Sequence, residues 1–220
     1  MPVAVFTGGS HIPAICATDY LTELRDLLHD PNDDYTTETE KLRWINEGIK
    51  QRDVVTHGNR ELIEKVVTAS VDNYTFTDVG EAQVLDVVGV NVIYSGIRLV
   101  LEQMSFTRLN TQVRQLQPPY VSVPIAWARY GPNTIYIAPS PSLAYTMEFD
   151  CVLYSTPLTT ATCDPLPYPY TEPVTFYAAY LAKINEQDYD EAAEFYDAFM
   201  MLCNIATSSR TGMLAAPYAR

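Results

Sequence analysis

Six carboxylates crowd one short stretch of the chain: Glu186, Asp188, Asp190, Glu191, Glu194 and Asp197, with no lysine or arginine among them. Paired acids are the raw material of hydrolysis, one carboxyl donating a proton while another activates water. A second pair, Asp33 and Asp34, sits in the stretch DPNDD. Such chemistry needs a convergent pocket or a cationic partner, and neither set contains a histidine or a lysine. Asp188 with Glu191 three positions on has instead the spacing of a helix N-cap and its reciprocal partner. Acids there complement the helix dipole by about 0.3–1 kcal/mol each. The others, notably Glu186, Asp190, Glu194 and Asp197, are read as a negative outer face.

Other chemistry is hard to assemble. His11, His29 and His57 have no second histidine or cysteine at metal-binding helical spacing, the TGGS run from Thr7 to Ser10 lacks the lysine and spacing of a phosphate loop, and no GxSxG pentad occurs. No catalytic, cofactor-binding or metal-ligating residue is assigned, and no cofactor is expected. Cys16, Cys151, Cys163 and Cys203 match neither a zinc spacing nor a dense disulfide framework, so all four are expected reduced and mostly buried, in a protein made in a reducing compartment. The N-terminus MPVAVFTGG lacks a basic signal region, and no apolar window of about 18 residues exists; no membrane partner is expected.

The whole chain is acidic. Its 220 residues carry 14 Lys and Arg against 27 Asp and Glu, a net charge of −13. That balance repels polyphosphate and excludes gripping nucleic acid or anionic membrane by charge, although it lets DNA pass nearby. A hydrophobic fraction of 47% at this length is enough for a real core.

The elements that position these residues follow from periodicity. TDYLTELRDLLH predicts a helix with Leu21, Leu24, Leu27 and Leu28 on one stripe and Thr18 as cap. Thr37 and Glu40 form a capping box that opens a second helix with Trp44, Ile45 and Ile49 inward, stopping near Gly58 and Asn59. From Leu62 the texture is β-branched and aromatic, with bends at Asp72–Asn73, Gly80 and Ser95–Gly96 and one helix inserted at 105–117 behind Ser105. YTMEFDCVLYS alternates strictly, predicting Tyr145, Met147, Phe149, Cys151 and Leu153 in the core and Thr146, Glu148, Asp150 and Val152 wet; it is expected to form a hairpin with the preceding RYGPNTIYIAPSPS. DPLPYPYTEP, from Asp164 to Pro173, cannot be helix and reads as a stiff joint. Beyond it Thr171 caps a helix with Val174, Tyr177, Leu181 and Ile184 inward, and Asp188 opens another with Tyr189, Ala192, Ala193, Tyr196, Phe199, Met200 and Cys203 inward. The short link predicts an antiparallel helical hairpin. From Thr207 the periodicity fades, and the end reads as a free tail.

The fold class expected is therefore α+β, with N-terminal helices, a small antiparallel β region (sandwich or hairpin) and a C-terminal antiparallel helical hairpin. The divisions are an arm (1–17), a helical part (18–59), a β region (60–163), the proline joint and hairpin (164–207) and a tail (208–220).

The order of the pieces LRWINEGIKQRD, MSFTRLNTQVRQ, IYIAPSPSLAYTMEFDCVLYSTPL and LPYPYTEPVTFYAAYLAKINEQDYDEAAEFYDAFMML resembles the head-to-tail adaptor proteins of tailed bacteriophages, the connector subunits beneath the portal. That resemblance implies a structural protein of the virion neck, synthesised in the host cytoplasm and not an enzyme. Identical copies, commonly twelve, form a ring between the portal protein and a tail or nozzle protein, and DNA passes through the channel without specific binding. It also implies a C-terminal tail that reaches the portal, with Met213, Leu214, Tyr218 and Arg220 as anchors, and it leaves Glu186, Asp190, Glu194 and Asp197 as candidates for the channel side. Competing readings are a tail tube or tail-completion protein of the same virion, and a small carboxylate-dependent hydrolase.

Overall fold

The computed structural model of the chain describes residues 14–80, 83–114 and 121–215. The helices are α1 (Ala17–Leu27), α2 (Glu38–Thr56), α3 (Phe76–Gly80), α4 (Phe106–Leu109), α5 (Glu172–Glu186) and α6 (Tyr189–Ala215). The strands are β1 (Arg60–Val66), β2 (Asn73–Thr75), β3 (Val84–Tyr94), β4 (Ile97–Val100), β5 (Glu102–Gln103), β6 (Val121–Ser122), β7 (Ala126–Tyr130), β8 (Thr134–Ala138), β9 (Ser140–Pro141) and β10 (Thr146–Leu153). The α+β class is as expected. Two compact units result: a helical one, formed by the chain up to Gly58 and again from Ser155, and a β one, Asn59–Tyr154.

In the helical unit, α1 starts at Cys16, whose N–H donates to Asp19 Oδ2 at 2.8 Å, and not at Thr18. Cys16 is held extended by an antiparallel bridge to Cys163, flanked by Ala17 N–H to Thr162 O (3.1 Å) and Asp164 N–H to Ile15 O (2.8 Å). Those flanking bonds make a non-hydrogen-bonded pair, where facing side chains come closest. The two cysteines form a disulfide, which corrects the expectation of four reduced thiols; the pairing spans 147 positions and has no local signature. Cys151 and Cys203 are free and buried, and burial pushes both thiols up to about 12.

The capping box of α2 forms as the pattern predicts: Glu40 N–H donates to Thr37 Oγ1 at 3.3 Å and Thr37 N–H to Glu40 Oε2 at 3.0 Å. Trp44, Ile45 and Ile49 are buried, and His57 ends the helix in the left-handed region at φ 49°. Gly48 lets α5 lie very close, since a Cβ there would stand 2.7 Å from Val174 O. Thr171 fails as the cap of α5. It is itself helical (φ −80°, ψ −32°), and Pro173 has no N–H to offer at the second helical position, so its buried Oγ1 has no hydrogen-bond partner.

The hairpin of α5 and α6 turns through Gln187 at φ 65°, with Asp188 Oδ1 accepting from Glu191 N–H at 3.3 Å. Its core sets small residues around one ring: Ala178, Ala179 and Ala182 are buried on α5, and Ala192, Cys203 and Ala206 on α6 with Phe199 among them. Ile184, Tyr189, Ala193 and Tyr196, expected inside, are exposed. The expected tail is corrected too, because α6 continues unbroken to Ala215. Gly212 costs a helix only about 1 kcal/mol, and Thr207 and Ser208 turn their hydroxyls back onto Cys203 O and Ile205 O instead of competing for the backbone.

The β unit contains two four-stranded sheets, in the orders β1-β10-β3-β4 and β2-β8-β7-β5, and a small β6-β9 pair. Val87, Val90, Val92, Trp127, Ile135, Ile137, Met147 and Phe149 share one buried cluster. The expected hairpin is corrected. RYGPNTIYIAPSPS turns at Gly131 so that β8 pairs with β7, while β10 lies in the other sheet between β1 and β3. A central strand is covered on more of its surface than an edge strand, so the expected wet face of β10 is largely covered: Glu148 and Val152 are buried, and Thr146 and Asp150 half-buried. The inserted helix is short, α4 passing into a π-helical turn over Asn110–Arg114, with Ser105 Oγ accepting from Arg108 N–H as expected. Residues 115–117 of the expected helix lie outside the described residues. Residues 155–163, read from sequence as part of the β region, belong to the helical unit.

Candidate functional site

The acidic stretch resolves into three roles. Asp188 caps α6. Glu186 and Glu191 share Lys183, each at 3.1 Å from its Nζ. Burial of Lys183 opposes its charge, but the bonds to those two carboxylates more than offset this and raise its pKa. Asp190, Glu194 and Asp197 remain. Spaced four and three apart they lie on one stripe of α6, all are exposed, and none has an ion pair among the described residues. The structure thus gathers three of the four channel-side candidates on one helical face and ties the fourth, Glu186, to a lysine.

Aromatic rings hold the two helices of this hairpin in register. Tyr177 stacks at a tilt 5.0 Å from Phe199 and 5.4 Å from Tyr180, which stands 5.2 Å from Tyr196. Tyr196 carries the row to the surface, and Tyr189, seven positions before it on α6, is exposed as well. A face that alternates carboxylates with rigid tyrosines repels phosphate yet offers apolar edges to protein.

Beneath the hairpin the helical unit is clasped by buried charge that the sequence reading missed. Arg52 reaches Asp53 Oδ1 at 2.9 Å, Ser155 Oγ at 3.1 Å and Asp164 Oδ2 at 2.5 Å. The Tyr20 hydroxyl donates to the same Asp164 oxygen at 2.9 Å. Burial and the Asp164 charge push the Tyr20 pKa far above the ordinary range, so it stays a donor. Burial works against the Arg52 charge, but the Asp164 and Asp53 carboxylates outweigh it and raise the pKa. A signal existed: position 52 continues the inward stripe of Ile45 and Ile49 by helical spacing. A second cluster explains Asp33. Lys41 Nζ, wholly buried, donates to Asp30 Oδ2 at 2.8 Å and Asp33 Oδ1 at 2.7 Å, while Arg25 grips Asp33 from outside at 2.7 Å. The bond from Lys41 holds Asp30 down at about 2.

The proline-rich DPLPYPYTEP lies wholly in the helical unit. Its first residue is the buried Asp164, and the approach to it is fastened by Leu158 N–H to Asn46 Oδ1 at 2.7 Å and Ser155 N–H to Asp53 Oδ2 at 2.7 Å. Of the tail candidates, Met213 and Leu214 fall within α6, and Tyr218 and Arg220 lie outside the described residues, as do His11 and the TGGS run. Among the described residues no group of three His, Cys, Asp or Glu side chains could hold a metal ion, and no helix is long and apolar enough to cross a membrane.

A family model of phage head-to-tail adaptors matches residues 17–217, from the first residue of α1 to beyond the last of α6, and defines the class as a structural component of the virion. The chain belongs to the SU10 adaptor protein family. No curated protein matches it. The resemblance read from the order of its sequence elements is to this same family.

Proposed function

We propose that about twelve copies of this chain close a ring in the virion neck, joined on one side to the portal protein and on the other to a tail or nozzle protein, around the channel through which DNA leaves. Membership of the adaptor family supports the location. The observation that carries the channel is the unpaired stripe Asp190, Glu194 and Asp197. Charges on a channel wall act on DNA phosphates only within about 8 Å at physiological salt, and a carboxylate wall lets the duplex slide without adhering. Met213 and Leu214 near the end of α6, together with Tyr218 and Arg220 in the sequence beyond it, are the residues proposed to dock on the portal.

Copy number tests the ring. Quantitative mass spectrometry of virions gives close to twelve subunits per particle, and one to three copies would sink the reading. Stacked open polymers of the purified chain would point to a tail tube protein instead. For the channel, the wild-type protein does not retain duplex DNA at 50 mM salt, whereas the triple variant D190K/E194K/D197K does, with binding that falls as salt rises. Tight, salt-sensitive binding by the wild type would remove the acidic wall from the account.

A further inference from the structure

Among the described residues the sheet β1-β10-β3-β4 is open at both ends, and its two free edges fit one another. In an antiparallel ladder, residues bonded to the neighbour alternate with residues whose backbone N–H and C=O point away. On β1 the bonds Val67 N–H to Tyr145 O and Leu153 N–H to Asn59 O, both 2.9 Å, fix the phase. The register with β10 then leaves the backbone groups of Leu62, Glu64 and Val66 facing the open edge. On β4, Leu101 N–H to Val90 O at 3.0 Å and the register with β3 leave those of Arg98 and Val100 facing theirs.

The side chains agree with the backbone. Following the registers across the sheet, Glu64 aligns with Glu148, Asn91 and Val100, and Val66 with Thr146, Ile93 and Arg98, so all the edge residues named share one face. Leu62, Val66 and Val100 are 56%, 63% and 79% exposed, large values for aliphatic side chains at a strand edge. Strand direction alternates across the sheet, so β1 of another copy set beside β4 continues it antiparallel. With Arg98 opposite Glu64, Val100 falls opposite Leu62, and every free backbone group meets a free one. A shift of one residue sets free groups against used ones. A shift of two sets Arg98 against Val66 or Leu62, and Val100 against Glu64 or Arg60.

We propose that neighbouring subunits join edge to edge, β4 of one copy to β1 of the next, in the register Arg98 to Glu64 and Val100 to Leu62. Two different edges meet, so the contact is heterologous and can close a ring. About four main-chain hydrogen bonds form per contact, and strand addition of this kind takes its specificity from the side chains that alternate along it. Glu64 has no ion pair among the described residues, and Arg98, though bound to Glu148 at 2.5 Å, keeps 59% of its side chain exposed. The inference rests on the ring proposed above, with a second copy of this chain as the occupant.

The test is a cross-link in assembled virions carrying L62C and V100C together, treated with a short bismaleimide. Both positions are exposed, and the native cysteines are buried or disulfide-bonded. The expected result is a covalent ladder rising to the full ring in the double variant and absent from either single variant. Twelve copies per particle with no ladder would overturn the edge contact and leave the ring standing; one to three copies would overturn both. A cross-link to a different virion protein would overturn the second copy as occupant. E64R is expected to reduce ring yield about tenfold, by setting two cations opposite each other. Unchanged yield counts against the register.

Discussion

Arg52 Nη1 stands 2.5 Å from Asp164 Oδ2, with both side chains completely buried. This contact holds the start of the proline-rich segment against the C-terminal part of α2, and it does so at a large desolvation cost that only full pairing offsets. Asp164→Ala leaves one nitrogen of Arg52 unpaired and takes the acceptor from Tyr20. The expected loss is about 3–5 kcal/mol, the usual cost of removing one partner of a buried pair, read from the midpoint of urea unfolding. A change under about 1 kcal/mol, the scale of an exposed pair, would mean that the site is wet.

The Cys16–Cys163 disulfide closes a long loop, and its removal by reductant or by C16S/C163S is expected to cost about 2–5 kcal/mol. Thiol counting gives a direct check. Alkylation in denaturant without reductant labels two of the four cysteines, Cys151 and Cys203, and four after reduction. Four labelled thiols without reductant would show the pair to be open.

Gly48→Ala is expected to destabilise by about 1–3 kcal/mol, the range for overpacking, although alanine is the better helix former. The added methyl would meet a backbone oxygen, Val174 O at 2.7 Å, and backbone cannot rotate away. A stabilised variant would show that α2 and α5 have room to separate.

Acid should weaken the α1–α2 turn through Asp30. Its pKa falls from an ordinary 3.8 to about 2 on folding, chiefly through the bond from Lys41, so its contribution is complete above about pH 4 and disappears as pH drops toward 2. Asp30→Asn lacks that contribution at every pH. The stability gap between wild type and D30N therefore closes as pH falls through this window. A gap that stayed constant from pH 5 to 3 would assign the effect to packing.

Local features were the legible ones. The capping box of Thr37 and Glu40, the cap at Ser105 and the hairpin of α5 and α6 depend on residues within a few positions of each other, and spacing alone displays them. The Cys16–Cys163 bridge and the Arg52–Asp164 contact join residues more than a hundred positions apart, so no window holds both partners. Strand β10 was misread for a related reason. Alternation distinguishes two faces of a strand but not whether a neighbour covers the second, and Glu148 owes its burial to a central position and to Arg98 and Asn91. In the candidate site the acids were legible as composition. That Lys183 neutralises Glu186 while Asp190, Glu194 and Asp197 stay free depends on where side chains point in a folded hairpin.

At 1.5 Å per residue, the 15 residues of α5 span about 22 Å and the 27 of α6 about 40 Å. Paired antiparallel from a common turn, α6 outruns its partner by about 18 Å. A rod has an angular setting as well as a length. One residue inserted between Thr207 and Ser208 would rotate everything beyond it by about 100°, whereas seven would restore the original azimuth to within about 20° and move the end about 10 Å outward. A portal attachment that rejects one inserted residue and tolerates seven would show that the helix sets the aim of the chain end, not merely its reach.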